Sequence, residues 1–295
     1  MRRKIMKTAI ITDSNSGITQ REAKELGIFV VPMPVLIDGE MFLEDISITQ
    51  EQFYEKLKGN ANVSTSQPNP FDVGEIWDKA LETHDEIVYI PMSSGLSETC
   101  NTLTHYAESE ERFNGKVYVV NNQRISITQR QSTLDGIKMA KEGKSGKEIY
   151  DYLMQTKMMS SIYIMVDTLK FLKKGGRLTP AVAAIGTLLK IKPVLQIQGE
   201  KLDQYAKVRK LADAKVTMIN ALKKDFETRF KDLVAAGKMT LQIAHTQNLE
   251  EAEKFKQELL AAFPGISVSV INPLSLSVSC HIGPGALAAA CSIVY

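Results

Sequence analysis

The sequence predicts an α/β protein in two parts: a parallel-sheet α/β domain over residues 1–158, then a mixed α+β domain over 159–295. Three observations lead there. The chain is 295 residues long, enough for two ordinary domains. Through its first half, short β-branched runs alternate with capped helical stretches, the pattern of a parallel sheet covered on both faces. In its second half, hairpin-like pairings become more frequent.

The elements follow in order. Thr8-Ala9-Ile10-Ile11-Thr12 is a strand ending in the polar run Asp13-Ser14-Asn15-Ser16-Gly17. Thr19 with Glu22 reads as a capping box opening a short helix, which Gly27 closes. Ile28 to Val31 is a second strand, and Ile37-Asp38-Gly39-Glu40 a hairpin turn. Thr49 with Gln52 opens another helix, stopped at Gly59. After the polar loop Thr65-Ser66-Gln67-Pro68, Asn69 caps and Pro70 begins a helix reaching Leu81. Glu86 to Ile90 is a buried strand running into Met92-Ser93-Ser94-Gly95-Leu96-Ser97-Glu98-Thr99, with a helix starting near Cys100. Val117 to Val120 is a strand, a helix follows to about Glu142, and Ser145 with Glu148 opens the next.

The pattern restarts at Ile162 to Val166. Lys173-Lys174-Gly175-Gly176-Arg177 is a basic, glycine-marked loop, and Thr179-Pro180 starts a small-residue helix from Ala181 to Leu189. Pro193 to Ile197 and Leu202 to Val208 form a hairpin, and a long amphipathic helix begins near Lys210. Leu241 to Ala244 is a strand, Asn248 with Glu251 caps a helix ending before Pro264, and Ile266 to Val270 is the last clear strand. His281 lies in a loop with Gly283-Pro284-Gly285, ahead of an apolar tail from Ala286 to Tyr295.

Totals exclude several classes. A net charge of +2, from 36 basic and 34 acidic residues, points to no nucleic-acid partner. No apolar run is long enough for a membrane span or signal-peptide core. Cys100, Cys280 and Cys291 form neither a disulfide framework nor a zinc pattern, which fits reduced thiols in the cytoplasm. The histidines share no ligand spacing, so no metal is expected. Gly175-Gly176-Arg177 lacks the spacing of a phosphate loop, so no nucleotide cofactor is read.

The stretch from Ser93 to Thr99 carries the chemistry. A strand ends and a helix begins there, so backbone N–H groups and a helix dipole meet a cluster of hydroxyls, an arrangement that either holds an anion or caps the helix with a hydroxyl. Gly95-Leu96-Ser97-Glu98-Thr99 also nearly matches a G-x-S-x-G nucleophile elbow, with His281 downstream. Thr99 replaces the second glycine, and no acid between Ser97 and His281 stands out as a third member. A Ser-dependent acyl-ester hydrolase using Ser97 and His281 is therefore the alternative function.

With Thr12-Asp13-Ser14, Thr65-Ser66-Gln67-Pro68, Ser93-Ser94-Gly95-Leu96-Ser97, Gly175-Gly176-Arg177, Lys190-Ile191-Lys192-Pro193 and His281 with Gly283-Pro284-Gly285-Ala286 in this order, the chain resembles the DegV family of bacterial fatty-acid-binding proteins. The resemblance implies one long-chain fatty acid buried between two domains, the final His281 segment returning to that site. It implies that Thr65 and Ser97 hold the carboxylate, supported by Ser66, Ser94 and Gly95, and that Arg177 and His281 handle the head group and phosphate. It implies a binding protein with no catalysis of its own, presenting its ligand to a separate ATP-dependent fatty acid kinase for phospholipid synthesis, or acting as a carrier or sensor without one. The tunnel wall is expected from Ile185, Leu188, Leu189 and part of the tail from Ala286 to Val294. Two departures stand out: Glu98 where the family commonly has glycine, and Asn121-Asn122 where it commonly has an acid.

Overall fold

The computed structural model describes residues 6–177 and 191–295. The expected helix from Ala181, with Ile185, Leu188, Leu189 and Lys190, lies outside the described residues. The described residues divide into two units, one holding 6–125, Gln129–Lys157 and Tyr295, the other Ser126–Thr128, 158–177 and 191–294.

In the first unit, runs with apolar, largely β-branched centres become strands, and the two central ones are buried on both faces. β1 (Thr8–Asp13), β2 (Phe29–Val31), β6 (Glu86–Ile90) and β7 (Val117–Val119) form a sheet in the order β2-β1-β6-β7. All three pairings are parallel. Alternation sorts the side chains. Ala9, Ile11, Ile87 and Tyr89 pack under α3 (Pro70–Leu81) and α4 (Thr99–Ser109), with Trp77, Leu103 and Phe113. Ile10, Val88 and Ile90 face α1 (Gln20–Leu26), α5 (Ser126–Lys141) and α6 (Gly146–Gln155), with Ala23, Ile137 and Leu153.

The order places consecutive strands on opposite sides of the β1–β6 pair. The carboxyl ends of these two strands, at Asp13 and Ile90, are thus a topological switch point, where open α/β sheets hold ligands. Beside the parallel sheet stands an antiparallel one of β3 (Pro34–Ile37), β4 (Glu40–Leu43) and β5 (Val63–Thr65), in the order β4-β3-β5, with α2 (Gln50–Lys58) between β4 and β5 in the chain. Thr65 therefore ends a strand, opposite Val35.

The caps read from sequence largely form. Thr49 and Ser145 make complete capping boxes with Gln52 and Glu148. Asn69 caps α3, and Thr19 accepts the Glu22 N–H.

The second unit holds β8 (Ser160–Met165), α7 (Lys170–Gly175), β9 (Lys192–Ile197), β10 (Leu202–Val208), α8 (Leu211–Glu227), α9 (Lys231–Ala235), β11 (Met239–His245), α10 (Leu249–Ala262), β12 (Val268–Pro273), α11 (Leu276–Ile282) and β13 (Leu287–Ile293). Its six strands run β10-β9-β8-β13-β11-β12, antiparallel except for the β11–β12 pair. α8 and α10 cover one face through Met218, Leu222, Phe226, Phe255 and Leu259.

Three sequence readings need correction here. The apolar tail is a strand, and β13 is paired on both sides, with β8 and β11. Its run of three alanines has little intrinsic preference for a strand, and the fit comes from burial between two neighbours. Asn248 makes no capping bond; its Nδ2 donates instead to the Gly285 carbonyl at 3.3 Å. His281 sits in the last turn of α11 rather than in a loop.

Candidate functional site

The turn after β6 is built from its own hydroxyls. The Leu96 and Ser97 N–H groups both donate to the Ser93 carbonyl, at 3.0 and 3.2 Å, and the Gly95 N–H donates to Ser93 Oγ at 3.2 Å. Ser97 Oγ accepts the Thr99 N–H at 3.2 Å and shares a hydrogen bond with Thr99 Oγ1 at 2.8 Å. Ser97 thereby orders the start of α4, whose N-cap residue Glu98 makes no side-chain cap. With that one hydroxyl as its side-chain cap, the helix start still turns its positive dipole end toward any further acceptor.

Both departures from the family pattern have a structural reading. Glu98 is exposed and its carboxylate accepts from Asn101 Nδ2 at 2.9 Å, so the charge is held on the solvent side of the turn. Asn121 closes a clasp on the turn: its Nδ2 donates to Ser94 Oγ at 2.8 Å and its Oδ1 accepts the Ser94 N–H at 3.4 Å. A carboxylate at this position would lack the donor half of the clasp.

The Thr65 loop is drawn to the same helix. Thr102 Oγ1, one turn into α4, donates to Gln67 Oε1 at 3.1 Å. Thr65 is half-buried and Ser66 exposed, while Ser94, Gly95 and Ser97 are half-buried. The first unit thus joins the Thr65 loop to the helix that the Ser94–Ser97 turn begins.

Arg177 and His281 are brought together in the second unit. α7 and α11 pack so closely that a Cβ on Gly175 would lie 1.9 Å from His281 Nδ1. Gly283 has φ +77°, and a Cβ there would lie 2.3 Å from the Phe171 ring. Two glycines therefore admit an imidazole and a phenyl ring against the backbone, which is why G-G-R and H-x-G stand as they do. Arg177 is exposed, and its Nη1 turns back to the Gly175 carbonyl at 2.7 Å. Burial pushes the His281 pKa down to about 4, and the positive charge of Arg177 pushes the same way. The imidazole is accordingly neutral at neutral pH.

The sequence reading passed over Asp13 as a single residue. It is fully buried at the carboxyl end of β1, and its carboxylate accepts the Met92 N–H at 3.0 Å. Its sequence signals are its place at a polar strand end and its membership of the Thr12-Asp13-Ser14 motif, neither of which names its partners. Ser97, for its part, is not among the non-glycine residues with positive φ, so the turn does not show the strained backbone of a nucleophile elbow. Among the described residues, no group of three or more His, Cys, Asp or Glu is placed to hold a metal ion, and no helix is long and apolar enough to cross a membrane.

Comparison with known proteins agrees along the whole chain. The DegV family model, described as "Uncharacterised protein, DegV family", matches residues 7–293. A DegV domain-containing protein of Clostridium perfringens is 30% identical over 287 residues, covering 96% of each chain. A solved DegV family protein of Thermus thermophilus, described as fatty acid binding, superimposes with a TM-score of 0.87 at 27% identity, covering 98% of this chain and 100% of that one. DegV of Bacillus subtilis, described as a fatty acid binding protein, gives a TM-score of 0.83 at 27% identity over 98% and 99%. With a family match from residue 7 to residue 293, and both units present in order, this chain belongs to the DegV family.

Proposed function

We propose that this protein binds a long-chain fatty acid, holding its carboxylate with Thr65 and Ser97, and presents it to a separate ATP-dependent fatty acid kinase for lipid metabolism. The observation that carries the reading is the pair of hydroxyl-bearing segments brought to the first turn of α4 by the Thr102–Gln67 hydrogen bond and the Ser97 hydroxyl. Ser66, Ser94 and Gly95 support that turn. The Thermus and Bacillus proteins described as fatty acid binding lend the ligand class. A cytoplasmic setting belongs to the same reading, on the three unbridged cysteines.

The energetics suit such a ligand. Each buried methylene contributes about 0.8 kcal/mol, so a chain of about fifteen supplies about 12 kcal/mol gross before ordering costs. The carboxylate has to be hydrogen-bonded on entry, because an unpaired buried charge is expensive. Hydroxyls and helix-start N–H groups meet that need without a buried cation.

Native mass spectrometry of the purified protein is expected to show one fatty acid per chain. A protein that carries no lipid and takes up none when stearic acid is added would sink the reading. The kinase step has its own test. In a mixture of loaded protein, ATP and a partner kinase, Arg177→Ala is expected to retain lipid and lose acyl phosphate formation. Normal phosphorylation by the variant would remove Arg177 from head-group handling.

A further inference from the structure

The Asp13 carboxylate sits where an anion-holding turn would least want a negative charge, yet it is fully buried there. Its hydrogen bonds explain the choice. Oδ2 accepts the Met92 N–H at 3.0 Å. Oδ1 accepts the Asn15 N–H at 3.0 Å and Gln129 Nε2 at 2.9 Å. All three partners are donors, and among side chains of this size only an ionised carboxylate is acceptor on both oxygens. Met92 is held a second time, through its Sδ, by Asn15 Nδ2 at 3.0 Å. Gln129 Nε2 also reaches the Ile90 carbonyl at 3.0 Å and Thr12 Oγ1 at 3.2 Å, so it spans the ends of β1 and β6.

We propose that Asp13, as a carboxylate, is a positioning residue for the fatty-acid site, fixing the turn that runs from Met92 to Ser97 through the Met92 N–H. Protonation would set an O–H donor against one of the three N–H donors and release that anchor. The inference rests on the fatty-acid reading above.

The surroundings leave Asp13 to titrate alone. Burial raises its pKa to about 6, while its bonds from Met92, Gln129 and Asn15 act against that rise. The Tyr89 phenol on β6 and the Cys100 thiol on α4 are both pushed up by burial and stay neutral. Arg130 and Glu22, the neighbouring charges on α5 and α1, pair with each other. A simple carboxylic acid ligand is ionised above about pH 5.

The test is the pH dependence of binding, read by cis-parinaric acid fluorescence between about pH 5 and about pH 8. Wild-type affinity is expected to fall about tenfold as pH drops, with a midpoint near 6. Asp13→Asn is expected to bind weakly and without that dependence. Gln129→Leu removes one bond that favours the ionised form, so its midpoint is expected to move to higher pH; it decides the matter alone if Asp13→Asn does not fold. A wild-type profile that is flat or rises as pH falls, an unmoved midpoint in Gln129→Leu, or a wild-type profile in Asp13→Asn would each overturn the proposal. Failure of the probe to bind at any pH would overturn the fatty-acid reading along with it. Binding with a flat profile would overturn the role of Asp13 only.

Discussion

A Thr65→Val, Ser97→Ala double variant is expected to lose fatty-acid affinity by a factor of about a hundred or more while remaining folded. A hydrogen bond to a charged group is worth about 1.5–3 kcal/mol, or roughly ten- to a hundredfold in affinity for each hydroxyl. If both hydroxyls hold one carboxylate, the single variants will not be additive, since losing either loosens the other. The fold is expected to suffer little. Ser97 Oγ also accepts the Thr99 N–H at the start of α4, and removing such a cap costs about 1 kcal/mol. Titration with stearic acid, beside thermal unfolding, checks both parts. Octadecanol, with the same tail and no charge, should be affected much less by the substitutions. Unchanged affinity for the acid, or equal losses for acid and alcohol, would place the carboxylate elsewhere.

What was legible in the sequence follows from range. Caps and turns are local, and Asn69-Pro70 and Ser145 with Glu148 form as their spacing predicts because every partner lies within three residues. The α/β alternation was equally readable, since a strand buried on both faces needs an uninterrupted apolar run and Ile87 to Ile90 supplies one. β13 escaped because its burial is set by β8 and β11, far away in the chain, and its alanines carry no strand signal of their own. The short α7 escaped for a related reason: its lysines lie on a single exposed turn and a half, and its place is fixed by α11. In the candidate site, the hydroxyl-rich turn announced itself by composition. Asp13 did not, because its three donors come from residues 15, 92 and 129, and no short motif links them. The same holds for Asn121, which stands out in sequence only as a departure from the family pattern, its partner Ser94 lying 27 residues away.

Gly175→Ala and Gly283→Ala are expected to be the most damaging single-methyl additions in the second unit. At Gly175 two effects compete. The residue ends α7 with ordinary backbone, where alanine is favoured over glycine by up to about 1 kcal/mol. Against that, its new methyl would lie 1.9 Å from His281 Nδ1 and 2.7 Å from Cε1. Overpacking of this kind costs about 1–3 kcal/mol, so the clash wins and the imidazole must leave its place. At Gly283 nothing offsets the loss. Its backbone, at φ 77° and ψ 176°, is a region open almost only to glycine, and the methyl would meet the Phe171 ring at 2.3 Å. Strain and overpacking together put the cost at about 4 kcal/mol, a large share of an ordinary domain's stability. The displaced histidine gives Gly175→Ala a second signature. In the native wild type His281 takes a proton only near pH 4, against an ordinary value of 6.5. The unfolded chain therefore binds that proton first, and stability is lost as pH falls from the upper value toward the lower, by about 3 kcal/mol in all. A ring released to solvent regains its ordinary pKa, so the variant is expected to lose that part of the dependence. Urea unfolding of both proteins at several pH values, with the histidine resonances followed by NMR, measures it. A variant as stable as wild type, or one whose His281 still titrates near 4, would show that the ring does not depend on the bare backbone of Gly175.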